Sequence, residues 1–373
     1  MRRNTGRSAV GRVRAALGAT ALICAVTTAL PGAASAAPVP LAGVADSSGS
    51  EVERISVAAD GTQGDGDSTG GTITTDGRSI AFSSAAKNLT PVAPGTGDRV
   101  FVRDRRMNQT TLMSTVTSVI QHPVISGDGQ YVALWGLLFR DTKTFLSQVG
   151  SASTIGINCS GLSCSRPSLS TDGRYVAQVA TFGRPPSRQR IEVRDWHAGT
   201  VETVAEFEHT VSARPSVSGD GRFVAYQDGR AEDVFVWDRT DDTSSGPIEG
   251  PSKAATLVQI SKDGSKVVYL SGSDTYVHDE RSGTGQLVPD ASGLAIDPTG
   301  RHLLYAPHDT SGPSLVLRDL ETGYEEVVSN RAASAGTDSV SAGGRDVVFH
   351  SAADDIVPGD TNGRSDVFVR RFY

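Results

Sequence analysis

Residues 215–239 read PSVSGDGRFVAYQDGRAEDVFVWDR, and their grammar decides the fold. A short apolar strand, Pro215 to Ser218, meets a Gly-Asp-Gly turn. A second strand follows over Phe223 to Tyr226, and a variable polar loop leads to a third, Val234 to Trp237, that closes on Asp238. Asp before Gly suits a tight turn, because the carboxylate bonds backbone two residues on while Gly takes the positive φ that other residues resist. Short runs of β-branched and aromatic residues bounded by such turns are strand material.

The same grammar recurs at TITTDGRSIAF with RVFVRD, VISGDGQYVAL with LFRD, SLSTDGRYVAQ with IEVRD, VQISKDGSKVVY with YVHD, AIDPTGRHLLY with LVLRD, and SVSAGGRDVVF with VFVRR. The turn glycines Gly77, Gly129, Gly173, Gly221, Gly264, Gly300 and Gly344 are spaced by 52, 44, 48, 43, 36 and 44 residues. Third strands end on Asp104, Asp141, Asp195, Asp238, Asp279 and Asp319, each before a turn into a fourth strand such as EEVVS. Four-stranded units of this length arranged radially make an all-β fold, a seven-bladed β-propeller, with six blades and one degenerate unit as the alternative.

The seventh unit has Arg371 where the others have Asp, which reads as the mark of a third strand with no turn or fourth strand after it. That would leave an open sheet edge. Upstream of the first complete unit, ERISVAAD (Glu53 to Asp60) is an orphan fourth strand similar to EEVVS. Pairing the two closes the ring.

The turns in SVSGDGRFVAY, SLSTDGRYVAQ and ITTDGRSIAF resemble the WD40-like repeats of the TolB-type propellers, centred on Ser-x-Asp-Gly-Arg before an apolar strand, and the resemblance covers nearly all of residues 51–373. It implies the propeller fold more specifically than a function, since the family includes translocation partners, propeller halves of peptidases and many secreted chains of unknown role. The N-terminal α/β domain of TolB itself has no counterpart here.

The first 36 residues differ in kind. Five Arg precede an apolar run, Ala15 to Leu30, and small residues end at Ala34-Ser35-Ala36, the pattern of a secretory signal peptide cleaved after Ala36. A linker over 37–50 then leads to the propeller at 51–373, which is expected in the periplasm, the cell envelope or the medium. Cleavage removes five Arg and no acidic residue, moving the formal charge from -7 to -12. Nucleic acid and anionic lipid need a positive footprint and are poor partners for such a chain. The two remaining cysteines, Cys159 and Cys164 in NCSGLSC, read as a small disulfide loop.

Motifs for chemistry are sparse. GDSTG (Gly66 to Gly70) matches GxSxG, but a nucleophile elbow needs a strand before it and a helix after it, and Ser68 stands in a loop between short strands. His122, His197, His209, His278, His302, His308 and His350 show no metal-ligand spacing. Trp135, Trp196 and Trp237 fall in or beside strands and read as blade packing. PGDTNGRSD (Pro358 to Asp366) offers Asp360, Asn362 and Asp366 as oxygen ligands for calcium, and Asp60, Asp65 and Asp67 lie beside the orphan strand, so an ion there would clamp the closure. The plain alternative is that these residues make turns.

Function is expected in the loops between second and third strands: Lys87 to Arg99, Gly183 to Arg190, Asp228 to Asp233, Pro307 to Ser314 and Ala352 to Asp366. The expectation is a monomeric, exported, non-catalytic module that binds another protein at the loop face or channel mouth. The alternative is a hydrolase or lyase acting on glycan or peptide through carboxylates at the channel.

Overall fold

The computed structural model describes residues 51–373 except 93–96, 114–118, 139, 152, 184–186, 210–213 and 230–231, with backbone alone at 119–122 and 138. The signal-peptide and linker readings lie outside these residues. Seven antiparallel blades follow one another along the chain.

Blade 4 shows how the repeat works. Its strands, from the axis outward, are Ser216–Val217, Phe223–Asp228, Asp233–Asp238 and Thr243–Ile248. Ser218 Oγ donates to Asp220 Oδ1 at 2.6 Å, the same carboxylate oxygen accepts Arg222 N at 2.9 Å, and Phe223 N donates to Ser218 Oγ at 2.9 Å. The clip recurs at Thr74/Asp76, Ser126/Asp128, Ser170/Asp172 and Ser261/Asp263. Gly221 sits at φ 74°, and a Cβ there would also lie 2.1 Å from the Tyr175 ring of blade 3. Glycine therefore meets two demands, the turn and the close approach of the neighbouring blade.

Both faces of each blade are buried. Val224 and Tyr226 point toward blade 3, while Ala225 points toward blade 5, so the alternation of a strand feeds two apolar seams. Clusters of this kind fill all seven seams, including blade 7 against blade 1, where Val348, Val367 and Val369 meet Ile73, Ile80, Phe82 and Phe101.

The ring also closes by hydrogen bonds at the turn end of the axis. Thr75 N donates to Gly127 O (2.9 Å), Asp128 N to Thr171 O (2.9 Å), Thr171 N to Gly219 O (2.8 Å), Gly219 N to Lys262 O (2.6 Å) and Asp263 N to Pro298 O (3.0 Å). Gly343 N donates to Asp297 Oδ2 (2.9 Å), and Ala342 N returns to Thr75 O (2.9 Å). Seven seams are bridged in sequence, which settles the ring at seven blades.

Blade 7 is assembled from both ends of the described chain. Glu51–Arg54 pairs with Asp366–Arg371, from Glu51 opposite Arg371 to Arg54 opposite Phe368, and Ile55 N continues the ladder to Val367 O at 2.7 Å. Beyond Ser56 the segment turns away, with Val57 bridging Gln63, so the strand is shorter than ERISVAAD suggests. The innermost position is held by isolated bridges, Ser334 to His350 and Val340 to Val347.

One reading of the third strand needs correction. In blade 2 the apolar run YVALWGLL stays in one strand, Tyr131–Leu138, which pairs through a tight hairpin with Asp141–Gln148. Asp141 therefore opens the third strand, and Gln148, opposite Tyr131, stands where the other blades have Asp. Elsewhere the strand-end Asp accepts N–H groups of the turn that follows, as Asp238 accepts Thr240 N at 2.9 Å, and Arg371 stands where blade 7 has no such turn to cap. In blades 1, 3, 4, 5 and 6 the terminal Asp pairs with a basic residue just after the turn: Arg78–Asp104 (2.7 Å), Arg174–Asp195 (2.6 Å), Arg222–Asp238 (2.6 Å), Lys266–Asp279 and Arg301–Asp319 (2.7 Å). Blade 7 inverts the polarity: Asp346 lies opposite Arg371, accepts its Nε at 2.9 Å, and also takes Arg105 Nη1 of blade 1 at 2.8 Å.

Candidate functional site

The innermost strands surround an axial channel, running from the loop face toward the turn ring. Just inside the ring lies a cavity of about 10 Å³, lined by Ile73, Ile125, Gln259, Lys262, Ile296 and Asp338 among others. That is room for about one water.

Asp338 plugs this point. It comes from the irregular inner segment of blade 7, at φ 61°, and its carbonyl accepts Ile73 N at 2.9 Å. Gln259 Nε2 donates to Asp338 Oδ1 at 3.1 Å, while Gln259 Oε1 accepts Asp338 N at 3.3 Å and Ile296 N at 3.4 Å. Lys262 Nζ lies 3.2 Å from Asp338 Oδ1 and donates to Leu169 O at 2.8 Å. Arg214 Nη2 is 3.8 Å from Asp338 Oδ2, and Arg214 Nη1 donates to Pro167 O at 3.3 Å. The Asp338, Lys262 and Arg214 side chains are 8%, 14% and 18% exposed, so their charges act through little water.

Burial alone would raise the Asp338 carboxyl, but Lys262, Arg214 and Arg166 outweigh it and hold it below its usual range. The cations are left short of negative charge. Burial pulls Arg214 down, and burial, then the neighbouring Arg214, pulls Arg166 down to about 9. A guanidinium keeps its proton at neutral pH, so the displacement measures how poorly the site solvates its own positive charge.

These residues were not singled out by sequence reasoning, although a signal exists. Arg166-Pro167-Ser168 and Arg214-Pro215-Ser216 are the same tripeptide opening two successive inner strands. Pro suits the first residue of a strand, and each Ser Oγ accepts the next blade's inner-strand N–H: Val217 N at 3.1 Å and Ile260 N at 3.1 Å. The Arg thus precedes a rigid start and lies at the loop-face end of the channel.

The residues the sequence did flag are distributed otherwise. Asp360, Asn362 and Asp366 gather around Arg54. Its Nη2 is 2.8 Å from Asp360 Oδ2, and its Nε is 3.6 Å from Asp366 Oδ2. Asn362 Nδ2 donates to Asp366 Oδ2 at 2.9 Å and to Gly64 O at 3.1 Å, and Ser56 Oγ donates to Asp366 Oδ1 at 2.5 Å. Burial pushes the Asp366 carboxyl up. Asp65 and Asp67 accept the backbone N–H groups of Lys87 and Ser365, at 2.6 and 3.0 Å, and Asp60 accepts Thr62 N at 2.9 Å. Among the described residues no three His, Cys, Asp or Glu side chains converge as a metal set.

Ser68 is buried and donates to Ser84 Oγ at 2.8 Å, within the inner strand of blade 1. Cys159 and Cys164 are joined as a disulfide. Trp135, Trp196 and Trp237 donate to Cys164 O, Gly173 O and Asp242 Oδ1, at 2.7, 2.8 and 3.1 Å, and pack at seams between blades: Trp135 on blade 3, Trp196 against Tyr131 of blade 2, and Trp237 with the apolar residues of blade 3. The side chain of His122 lies outside the described residues, and the other histidines are spread over blades 3 to 7. His209 Nε2 lies 3.1 Å from Asp228 on the loop face. Nearby, burial and then Glu249 and Asp228 push the Asp233 carboxyl up.

No family model and no curated protein matches the sequence. Among solved structures the chain is similar to an oligogalacturonate lyase in complex with manganese, at TM-score 0.65 and 14% identity over 88% of this chain and 95% of that one. An oligogalacturonate lyase from Vibrio parahaemolyticus aligns at TM-score 0.62 and 12% identity, over 86% and 96%. TolB from Acinetobacter baumannii aligns at TM-score 0.47 and 15% identity, over 70% and 62%. Likeness at such identities reaches the fold and stops there: the chain is a seven-bladed β-propeller built like those of the two lyases.

Proposed function

We propose that the chain is an exported, non-catalytic propeller whose loop face, around the channel mouth, binds another protein. The observation that carries this reading is the channel itself. Its one carboxylate among the described residues, Asp338, is held ionised as the counter-ion of three cations. A carboxylate fixed as a counter-ion serves to hold the axis together and is a poor proton carrier. The rigid ring and the five long loops on one face suit a docking platform. Export follows from the Arg-rich, apolar and small-residue order of residues 1–36. A monomer and a protein partner fit a mature charge of -12 better than nucleic acid or membrane.

One observation favours the enzyme alternative. Asp233, raised by burial and like charge, stands on the loop face near the His209–Asp228 pair, an arrangement that would supply a general acid. The lyase neighbours extend that reading to acidic glycans as substrates.

The test has two arms. Residues 37–373, immobilised, are exposed to native envelope and culture-fluid components and the retained proteins identified by mass spectrometry. The same protein is incubated with oligogalacturonate, with and without manganese, and the chain length of the glycan followed. Retention of a defined protein without glycan shortening is the expected result. Shortening that is abolished by Asp233→Asn would replace the binding module with an enzyme.

A further inference from the structure

We infer that the loop-face mouth of the channel is an oxyanion site, in which Arg166 and Arg214 receive one carboxylate or phosphate group of a ligand above a floor made by Lys262 and Asp338. The inference rests on the loop face being the binding surface and names the chemistry it selects. Three cationic side chains stand around a single carboxylate, an excess of two positive charges. Asp338 cannot absorb that excess, because its Oδ1 is already taken by Lys262 and Gln259. Its Oδ2 lies 3.8 Å from Arg214, too far for a hydrogen bond.

Arg166 is worse provided for. Its Nε is buried without a hydrogen-bond partner. Leaving a buried donor unpaired is costly, and a buried charge that shares one counter-ion with two other cations is only partly compensated. An unsatisfied buried polar group calls for an explanation, and a bound ion or ligand group is one. A planar fork of N–H donors fits the two oxygens of a carboxylate or phosphate, whereas a halide uses one donor direction. The cavity that Asp338 and Lys262 line, about 10 Å³, admits nothing larger than water, so a ligand group has to meet the Arg side chains from the loop-face side.

The test is a set of thermal melts of residues 37–373 in sodium chloride, sodium acetate and sodium phosphate at equal ionic strength. Acetate or phosphate is expected to raise Tm over chloride by roughly 2–4 °C at concentrations about tenfold above Kd. The larger shift identifies the source as carboxylate or phosphate. Arg166→Gln and Arg214→Gln are expected to abolish the difference. A shift that survives in both is the general stabilising effect of the salt on exposed surface and overturns the site. A second readout keeps a structural role apart: in chloride, Arg166→Gln should melt at or above the parent, because it removes an uncompensated charge. A parent that melts alike in all three salts, or an Arg166→Gln variant that melts below it, contradicts the inference. Failure here with a retained protein in the capture experiment would remove the oxyanion site and leave the binding module. A shift lost in the variants with nothing retained would do the reverse.

Discussion

Asp appears at three kinds of position in this chain, and each has its own chemistry. The turn Asp, as at Asp220, organises the Ser-Asp-Gly clip. The strand-end Asp, as at Asp238, binds Arg222 and accepts Thr240 N at 2.9 Å. Their spacing made both legible in the sequence. Asp338 was not legible, because it sits in RAASAGTDSV, where the inner strand of blade 7 departs from the repeat, and no local pattern aims it at the axis. Two outcomes follow at this scale. Gly221→Ala forces a side chain into the left-handed region against the Tyr175 ring and should cost roughly 1–3 kcal/mol in urea unfolding. A cost near zero would remove the close-approach argument. The carboxyls of Asp195, Asp238 and Asp319, held down by their Arg partners, and of Asp279, held down by Lys266, give a pH dependence. Their folded pKa values lie below the ordinary 3.8, so between the two the unfolded chain binds more protons and stability rises with pH. The contribution is complete above that value and lost as pH falls through the folded ones. The urea midpoint should drop between about pH 5 and pH 2, and Asp238→Asn should flatten the drop. Parallel profiles for parent and variant would show that the pair does not couple to folding.

Strands and their pairing carry the closure. Period-two alternation and the orphan segment before blade 1 located the outer strand of blade 7, but its length was overread: Glu51–Arg54 pairs, and the rest turns back. What holds it also differs from a pattern of oxygen ligands. Arg54, opposite Phe368 in the ladder, reaches Asp360 and Asp366, and its guanidinium lies 5.9 Å from the Phe368 ring centre. Sequence spacing marks Asp360, Asn362 and Asp366 as neighbours, yet the partner is some 300 residues away and invisible to a local motif. Breaking a buried pair strands the remaining charge, so Arg54→Ala should cost about 3–5 kcal/mol by chemical denaturation. Deleting residues 51–59 removes the ladder, buried Ile55 and the Arg54 pair together, and should lower Tm by roughly 5 °C or more. A truncated chain that melts with its parent would mean the ring closes without this strand. Calcium at this loop would have to displace Arg54. The melt is therefore expected to be unmoved by chelator or added calcium, and a calcium-dependent rise would place an ion in the clasp.

As a molecule, the propeller divides its two ends between different tasks. At the turn end, hydrogen bonds pass from blade to blade around the axis and the cavity closes. At the loop end, the chain varies in length from a two-residue hairpin at Ser271 to Asp274 to the long connection between Ser351 and Asp366. The repeat dictates the first end, which is why the blade count could be read from glycines. It does not dictate the second, where Arg166 and Arg214 stand beside irregular loops. Both are to be replaced by Gln in the most direct test of a loop-face binding surface, a comparison of parent and double-variant capture of envelope and culture-fluid components. The account predicts a defined component retained by the parent and at least about tenfold depleted on the variant, a loss of roughly 1.4 kcal/mol or more in binding. Equal retention by both, or loss instead on changing Arg78 and Arg105 at the turn end, would contradict it.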